Sequence, residues 1–307
     1  MTLLFSSFDI IKHTNVVGFI LYLVLLFSIN IPVVFSVNRL TSLWTRIIYI
    51  GGLSIILHII PPVSYPGMNS VENVTFNSAN GVLMLLLLAL ALKSWNYTWK
   101  PNLPTGKNKP YQLFSYLIAL FFMIWFPFFT TFSPSAINWL EVFGNWGYAL
   151  SQLNFELVYV GYALSVGLIE EGFRYGFILL LLSYFKTYSI AKAVILSSAT
   201  FALLHFNNLF LGWNLTTVTK QVAFALPFSL VITAIYLYTG KLYFAIAMHS
   251  LNDLIVYMSH YSPLYQGFLN DFSSLMLQSL ISILFFIFFM TGKRRQVIKQ
   301  NVKDIML

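Results

Sequence analysis

The sequence predicts an all-α polytopic membrane protein of about eight or nine transmembrane helices, on three observations. Apolar residues make up 58% of the chain and charged ones only 8%, where a soluble domain carries roughly 25% charged residues. Apolar runs of about 20 residues, the length needed to cross a bilayer as a helix, recur along the whole chain. Basic residues gather in alternate loops between those runs, as the positive-inside rule requires. A soluble globular enzyme and a disordered chain are both excluded. The net charge of +8 is spread over loops and not drawn into a stripe, so nucleic acid is not an expected partner. The absence of cysteine rules out disulfides, thiolate zinc sites, thiol nucleophiles and S-palmitoylation. The opening MTLLFSSFDIIKHTN does not resemble a cleavable signal peptide, since no basic end precedes a short apolar run.

The candidate spans run roughly over 16–37, 46–63, 78–96, 111–132, 155–185, 189–210, 221–239, 241–258 and 274–292. The fifth is too long for a straight crossing, so it is tilted or begins outside the hydrocarbon. The third has the weakest signal, because its dense apolar run from Val82 to Leu92 is short. Arg39 and Arg46, then Lys93, Lys100, Lys107 and Lys109, then Lys186 and Lys192, then Lys241, and finally Lys293, Arg294, Arg295, Lys299 and Lys303 mark one side. The intervening loops are acidic or nearly free of Lys and Arg, with Glu72, Glu141 and Asp271. Nine spans with this alternation place the N-terminus outside and the C-terminus in the cytoplasm, with Lys12 the exception. The basic tail is expected to lie along anionic lipid headgroups. Trp44, Trp95, Trp99, Trp139, Trp146 and Trp213 fall near span ends, where interfacial aromatics belong. There is no internal repeat, and the longest loops are too short to hold a core of their own.

Seven polar residues sit inside candidate spans: Glu170, Glu171, Arg174, Asp253, His58, His205 and His249. A charge at the bilayer centre costs about 2.5–3.5 kcal/mol even on lenient scales, so such residues face a protein interior or a wet cavity. In VGLIEEGFRYGF, Arg174 is i+4 from Glu170 and i+3 from Glu171, so it can neutralise one carboxylate and leave the other free for proton transfer. The plainer reading is a structural ion pair between helices. His205 lies in SSATFALLHFNN. His249 lies in AIAMHSLNDLIV, with Asp253 one turn later on the same face. A lone buried histidine is usually a satisfied core residue; two of them with a carboxylate beside one weaken that reading. His58, next to Pro61 and Pro62 at a span end, reads as interfacial. Glu170 and His205 lie about 17 and about 18 residues on either side of the turn near 187, hence at one level. His249 and Asp253 begin shallower, so a tilt or an offset of their hairpin is needed to bring them level.

These residues resemble the CAAX-protease and bacteriocin-processing (Abi) family of glutamate intramembrane proteases. That family's signature is a Glu-Glu pair followed by an arginine, then Phe-x-x-x-His, then His-x-x-x-Asn or Asp. Phe201 with His205 and His249 with Asp253 match the last two in residue type and spacing. The first departs from the pattern: only two residues separate Glu171 from Arg174, where three are usual. Aligned without a gap, Gly176 falls on the usual glycine and Tyr175 on the arginine. Aligned on Phe173-Arg174 instead, Glu170 takes the second glutamate's place. The gapless version is preferred and makes Glu170 the family's catalytic glutamate. The resemblance covers about 155–258. It divides the chain into accessory transmembrane helices over 1–150, a catalytic core of four helices over 151–260, and a final span with a basic cytoplasmic tail over 261–307.

The resemblance implies an intramembrane endopeptidase acting on a membrane-embedded, prenylated or leader peptide in the bilayer. Glu170, Glu171, His205, His249 and Asp253 would be its catalytic residues, with Arg174 and Asn252 in support. Glu170 would activate a water, His205 would orient it, and His249 with Asp253 would stabilise the oxyanion. An ionised Asp253 can only accept hydrogen bonds, so it must carry a proton, orient His249, or leave donation to Asn252 or a backbone group. No cofactor is expected. A zinc site from Glu170, His205, His249 and Asp253 is the minority alternative, since these are zinc-ligand types. Signatures of zinc, aspartyl and serine intramembrane proteases are missing. Two other classes compete: a non-catalytic self-immunity or scaffold protein of the same family, and a proton-coupled transporter, since buried Glu, His and Asp also build proton relays. The expected location is a bacterial plasma membrane, with the site reached from the outer side or laterally from lipid.

Overall fold

The computed structural model describes residues 36–58, 70–103, 110–132, 146–151, 153–185, 189–259 and 272–306. Most of the first candidate span lies outside them. Among the described residues the chain is helical and has no strand, only an isolated antiparallel bridge between Asn102 and Lys241. The helices are α1 (Leu43–His58), α2 (Ser70–Ser94), α3 (Pro110–Phe132), the short α4 (Trp146–Ser151), α5 (Leu157–Phe185), α6 (Ile190–Leu204), α7 (Leu215–Thr239), α8 (Leu242–Ser259), α9 (Phe272–Met290) and α10 (Gly292–Met306). A 3-10 turn, His205–Leu211, continues α6. His58 is the last residue of α1.

Among the described residues three helical stretches are long and apolar enough to cross a membrane: Asn77–Ser94, Ile190–Phe210 and Leu215–Thr239. A fourth is added if Leu275–Met290 and Gly292–Met306, bent by 73°, form one broken span. The described residues are therefore helical and without strands, with three or four stretches of membrane-spanning length and apolarity. α5 is longer, at 29 residues, but carries Glu170, Glu171 and Arg174 near its middle. It is buried on every side from Glu171 to Leu182, as a helix with charges in a membrane must be. Around it pack α1, α2, α6 and α8.

Small residues bring the backbones close. On one side of α5, a Cβ added at Gly161 would stand 2.7 Å from Val74 Cα in α2. On the other, a Cβ at Gly167 would run into the Ser250 hydroxyl and lie 3.1 Å from the Ile246 carbonyl in α8. Close packing through small residues is how helices associate where lipid removes the hydrophobic drive. Gly167→Val is expected to force α5 and α8 apart, lower stability by about 1–3 kcal/mol and disturb the motif residues carried by both helices. Thermal unfolding in detergent checks this; a variant that melts like wild type would show that the seam yields.

α7 begins with an Asn214 side chain accepting from the Thr217 N–H at 2.8 Å, a standard N-cap. It ends at Gly240, whose φ of 66° allows the left-handed cap. The following turn is locked to the segment after α2: Leu103 N–H donates to Gly240 O at 2.8 Å and Leu242 N–H to Pro101 O at 3.0 Å. Lys241 Nζ also donates to Leu103 O. The Lys100 N–H reaches the Tyr175 hydroxyl at 3.2 Å, so this segment sits ten residues short of the end of α5.

The offset needed to bring the third motif level with the first is thus supplied. His249 lies about 10 Å along α8 from its start and Glu170 about 22 Å along α5 from its end. The two meet because the α7–α8 turn stands on the 100–103 segment, inside the level where α5 ends. α10 closes the same end. Its apolar residues Ile298, Val302 and Ile305 are buried, and the Asn301 amide donates to Leu237 O at 2.9 Å and Tyr238 O at 2.7 Å, two carbonyls that the end of α7 leaves open. Its exposed face carries Arg295, Lys299 and Lys303 at i, i+4 and i+8. The basic tail is therefore a packed helix, with its charges turned outward.

Candidate active site

The site forms where α5, α6, α7 and α8 meet. Arg174 is 2% exposed and Glu171 0%, so each must answer the other's charge. Arg174 grips Glu171 with two parallel hydrogen bonds, Nε to Oε2 at 2.8 Å and Nη2 to Oε1 at 2.9 Å, the fork geometry suited to a carboxylate. Its third arm, Nη1, donates to Ser229 Oγ of α7. The flat face of the guanidinium lies over the Phe201 ring of α6, 3.7 Å from its centroid, a cation–π contact. The shortened spacing of the first motif is accommodated because i+3 and i+4 both lie one turn away on the same side of a helix. Tyr175, which takes the arginine position in the gapless alignment, points elsewhere: its ring packs edge-on to Trp99 at 5.0 Å and Tyr236 at 5.8 Å.

Glu171 has a second partner. His249 Nδ1–H donates to its Oε1 at 2.6 Å. This bond turns His249 Nε2 towards the other carboxylates, 3.4 Å from Glu170 Oε2 and 3.7 Å from Asp253 Oδ2. Asp253 accepts from the Asn252 amide at 3.2 Å. An imidazole nitrogen facing two carboxylates is a place where a proton is held between them.

Glu170 is the less enclosed member of the pair, its side chain 12% exposed. Besides His249 it faces His205, whose Nε2 stands 4.0 Å from Glu170 Oε2. His205 Nδ1–H donates to the Phe201 carbonyl one turn back at 3.2 Å, which makes Nε2 the acceptor nitrogen of the ring. Phe201 therefore serves as a shelf. Its ring touches Arg174, its carbonyl orients His205, and its ring centroid lies 5.0 Å from that of His205 and 6.4 Å from that of His249. Phe228 closes the far side of His249 at 5.8 Å.

All seven candidate residues thus meet in one place, Asn252 through Asp253. Ser229 and Phe228 were not found by sequence reasoning. A serine and a phenylalanine in an apolar helix carry no local signal, and only the packing of α7 against α5 gives them a role. Among the described residues no group of three or more His, Asp or Glu side chains is arranged to hold a metal ion. The apolar cavity of about 340 Å³ between α2, α8 and the segment 99–102 is lined by Leu85, Trp99, Tyr243 and Ile246 among others, and no motif residue reaches it.

No curated protein and no solved structure matches the chain. The family model described as "Type II CAAX prenyl endopeptidase Rce1-like" matches residues 152–255, a segment that holds all three motifs, so over that third of the chain the sequence is similar to this protease family.

Proposed function

We propose that this chain is an intramembrane endopeptidase in which Glu170 activates the attacking water. The carrying observation is the division of labour between adjacent carboxylates. Glu171 is held by Arg174 on one side and His249 on the other, while Glu170 faces both histidines and keeps a partly exposed side chain. Glu170 Oε2 and His205 Nε2 are acceptors 4.0 Å apart. A single water donating to both at about 2.8 Å spans such a gap with its two hydrogen bonds about 90° apart and keeps a lone pair for attack.

Glu170 takes one proton from that water, and the oxygen adds to the carbonyl carbon of the scissile peptide. The carbonyl oxygen becomes an oxyanion, stabilised by a proton held at His249 Nε2. Asp253 orients and balances that imidazole without itself donating. The proton on Glu170 then passes to the amide nitrogen, the C–N bond breaks, and an amine and a carboxylic acid leave, the acid giving its remaining water proton to solvent. Arg174, Phe201 and Ser229 hold Glu171, which in turn fixes the His249 ring.

The substrate class we propose is a membrane-anchored peptide with a prenylated C-terminus, which the matched family description favours; a leader peptide is the next choice. The core is proposed to span 151–260, with 1–150 as accessory helices around it and a total of about eight or nine spans. A tagged prenylated peptide in proteoliposomes tests the activity. Cleavage by wild type, none by Glu170→Gln, and indifference to chelator are expected. Loss to chelator would instead mark a zinc enzyme, and no cleavage by wild type would leave a scaffold or transporter.

The proposed orientation in a bacterial plasma membrane has the C-terminus in the cytoplasm. The chain has no cysteine of its own, so labelling is clean. An impermeant thiol reagent applied outside is expected to modify Ser262→Cys and to spare Gln300→Cys; the reverse pattern overturns the topology and the outer-side access together.

A further inference from the structure

The oxyanion step lacks donors. Glu170, Glu171 and Asp253 are acceptors when ionised, and the Arg174 fork is taken by Glu171 and Ser229. One imidazole N–H is left, beside an Asn252 amide already engaged with Asp253 at 3.2 Å, to meet a developing negative charge that usually has two donors or more.

The α5–α8 seam holds another. The two helices run antiparallel in a constant register. Glu170 stands against His249, Gly167 against Ser250, and Tyr162 against Tyr257, with Asn154 N–H bonding Met258 O at 2.9 Å at the far end. His249, Asp253 and Tyr257 follow one another at successive turns of α8, so the phenol lies on the motif face. Side chains on a helix lean towards its N-terminus, which carries the Tyr257 hydroxyl back towards Asp253. The ring is steadied by Tyr162, edge-on at 6.2 Å, and by Tyr159 at 6.4 Å. Tyr257 is only partly buried and lies two turns beyond His249 along α8, away from the closed Arg174 end.

We propose that Tyr257 is a further catalytic residue, its phenol O–H donating to the scissile carbonyl oxygen as that oxygen becomes the oxyanion. The proton stays on Tyr257 throughout. This rests on the endopeptidase reading of the same site. It assigns the second donor to a residue outside the three motifs, and leaves Asp253 free to act on His249.

The test uses the full-length protein in proteoliposomes, with Tyr257→Phe keeping the ring and its packing. On the prenylated peptide, kcat is expected to fall about 10²-fold with KM within about twofold and the melting temperature unchanged. Binding of a phosphinic peptide, a tetrahedral mimic of the adduct, is expected to weaken by a similar factor, while the uncleaved peptide binds Glu170→Gln and the Glu170→Gln/Tyr257→Phe double variant equally well. If wild type cleaves, Glu170→Gln does not, and Tyr257→Phe retains wild-type kcat, the inference fails and the endopeptidase reading stands. Equal loss of phosphinic peptide and uncleaved peptide would make Tyr257 a mere contact and also overturns it. If wild type neither cleaves the peptide nor binds the phosphinic analogue, the endopeptidase reading falls and takes the inference with it.

Discussion

Glu170→Gln is expected to lower peptide cleavage by a factor on the order of 10²–10⁴, the range that a general base contributes, while leaving the helix bundle intact. The substitution keeps size and hydrogen-bonding reach but removes the ability to take a proton. Little structural cost is expected because Glu170 is partly exposed and faces the two histidines at 3.4 and 4.0 Å, outside the tight Arg174–Glu171 fork. Glu171→Gln should behave differently. It takes away the negative partner of a buried guanidinium and the acceptor of the 2.6 Å bond from His249, so activity and stability should fall together. Turnover and melting temperature measured on both variants separate the two roles. Equal loss of stability in both would mean that the carboxylates share one structural duty and that Glu170 is not set apart for chemistry.

Arg174→Ala is expected to destabilise the protein by about 3–5 kcal/mol, the usual result of leaving one member of a buried pair without the other. Glu171 would remain fully buried facing only His249, Ser229 would lose its donor, and the face of Phe201 would lie bare. The His249 ring would then lose its fixed orientation, so activity should drop further than stability alone explains. Arg174→Lys is expected to recover little, because an ammonium cannot bridge two carboxylate oxygens, donate to Ser229 and stack on a ring together. Thermal unfolding with cleavage rates provides the check, and an alanine variant with wild-type melting would refute this account of the pair.

Much of the site is legible in the residues alone. Two adjacent glutamates in an apolar run, with an arginine one turn on, have no stable place in lipid, so their burial against other helices follows from their cost. The periodicities that put Phe201 with His205 and His249 with Asp253 on one face are properties of a single helix, and need only the 3.6-residue repeat. The same repeat leaves one matter open. Arg174 is within reach of Glu170 at i+4 and of Glu171 at i+3, and local geometry does not choose between them.

Tertiary packing makes that choice. Ser229 and Phe201 approach α5 from the side on which Arg174 meets Glu171, and His249 completes Glu171 from α8. Packing also sets the levels. Counting residues from the turns leaves His249 about 12 Å too shallow to meet Glu170, and the segment 100–103 removes the mismatch by standing beneath the α7–α8 turn. The basic tail shows the same division: its charge is plain in the sequence, but the seating of Asn301 on the end of α7 is not. Sequence by itself determined the membrane class, the helical faces and which residue types had to be buried together, because these depend on composition and a local repeat. The axial offsets between helices, the partner of Arg174 and the roles of Ser229 and Phe228 were decided only in three dimensions, because each depends on contacts between segments far apart in the chain, whose relative heights no local period encodes.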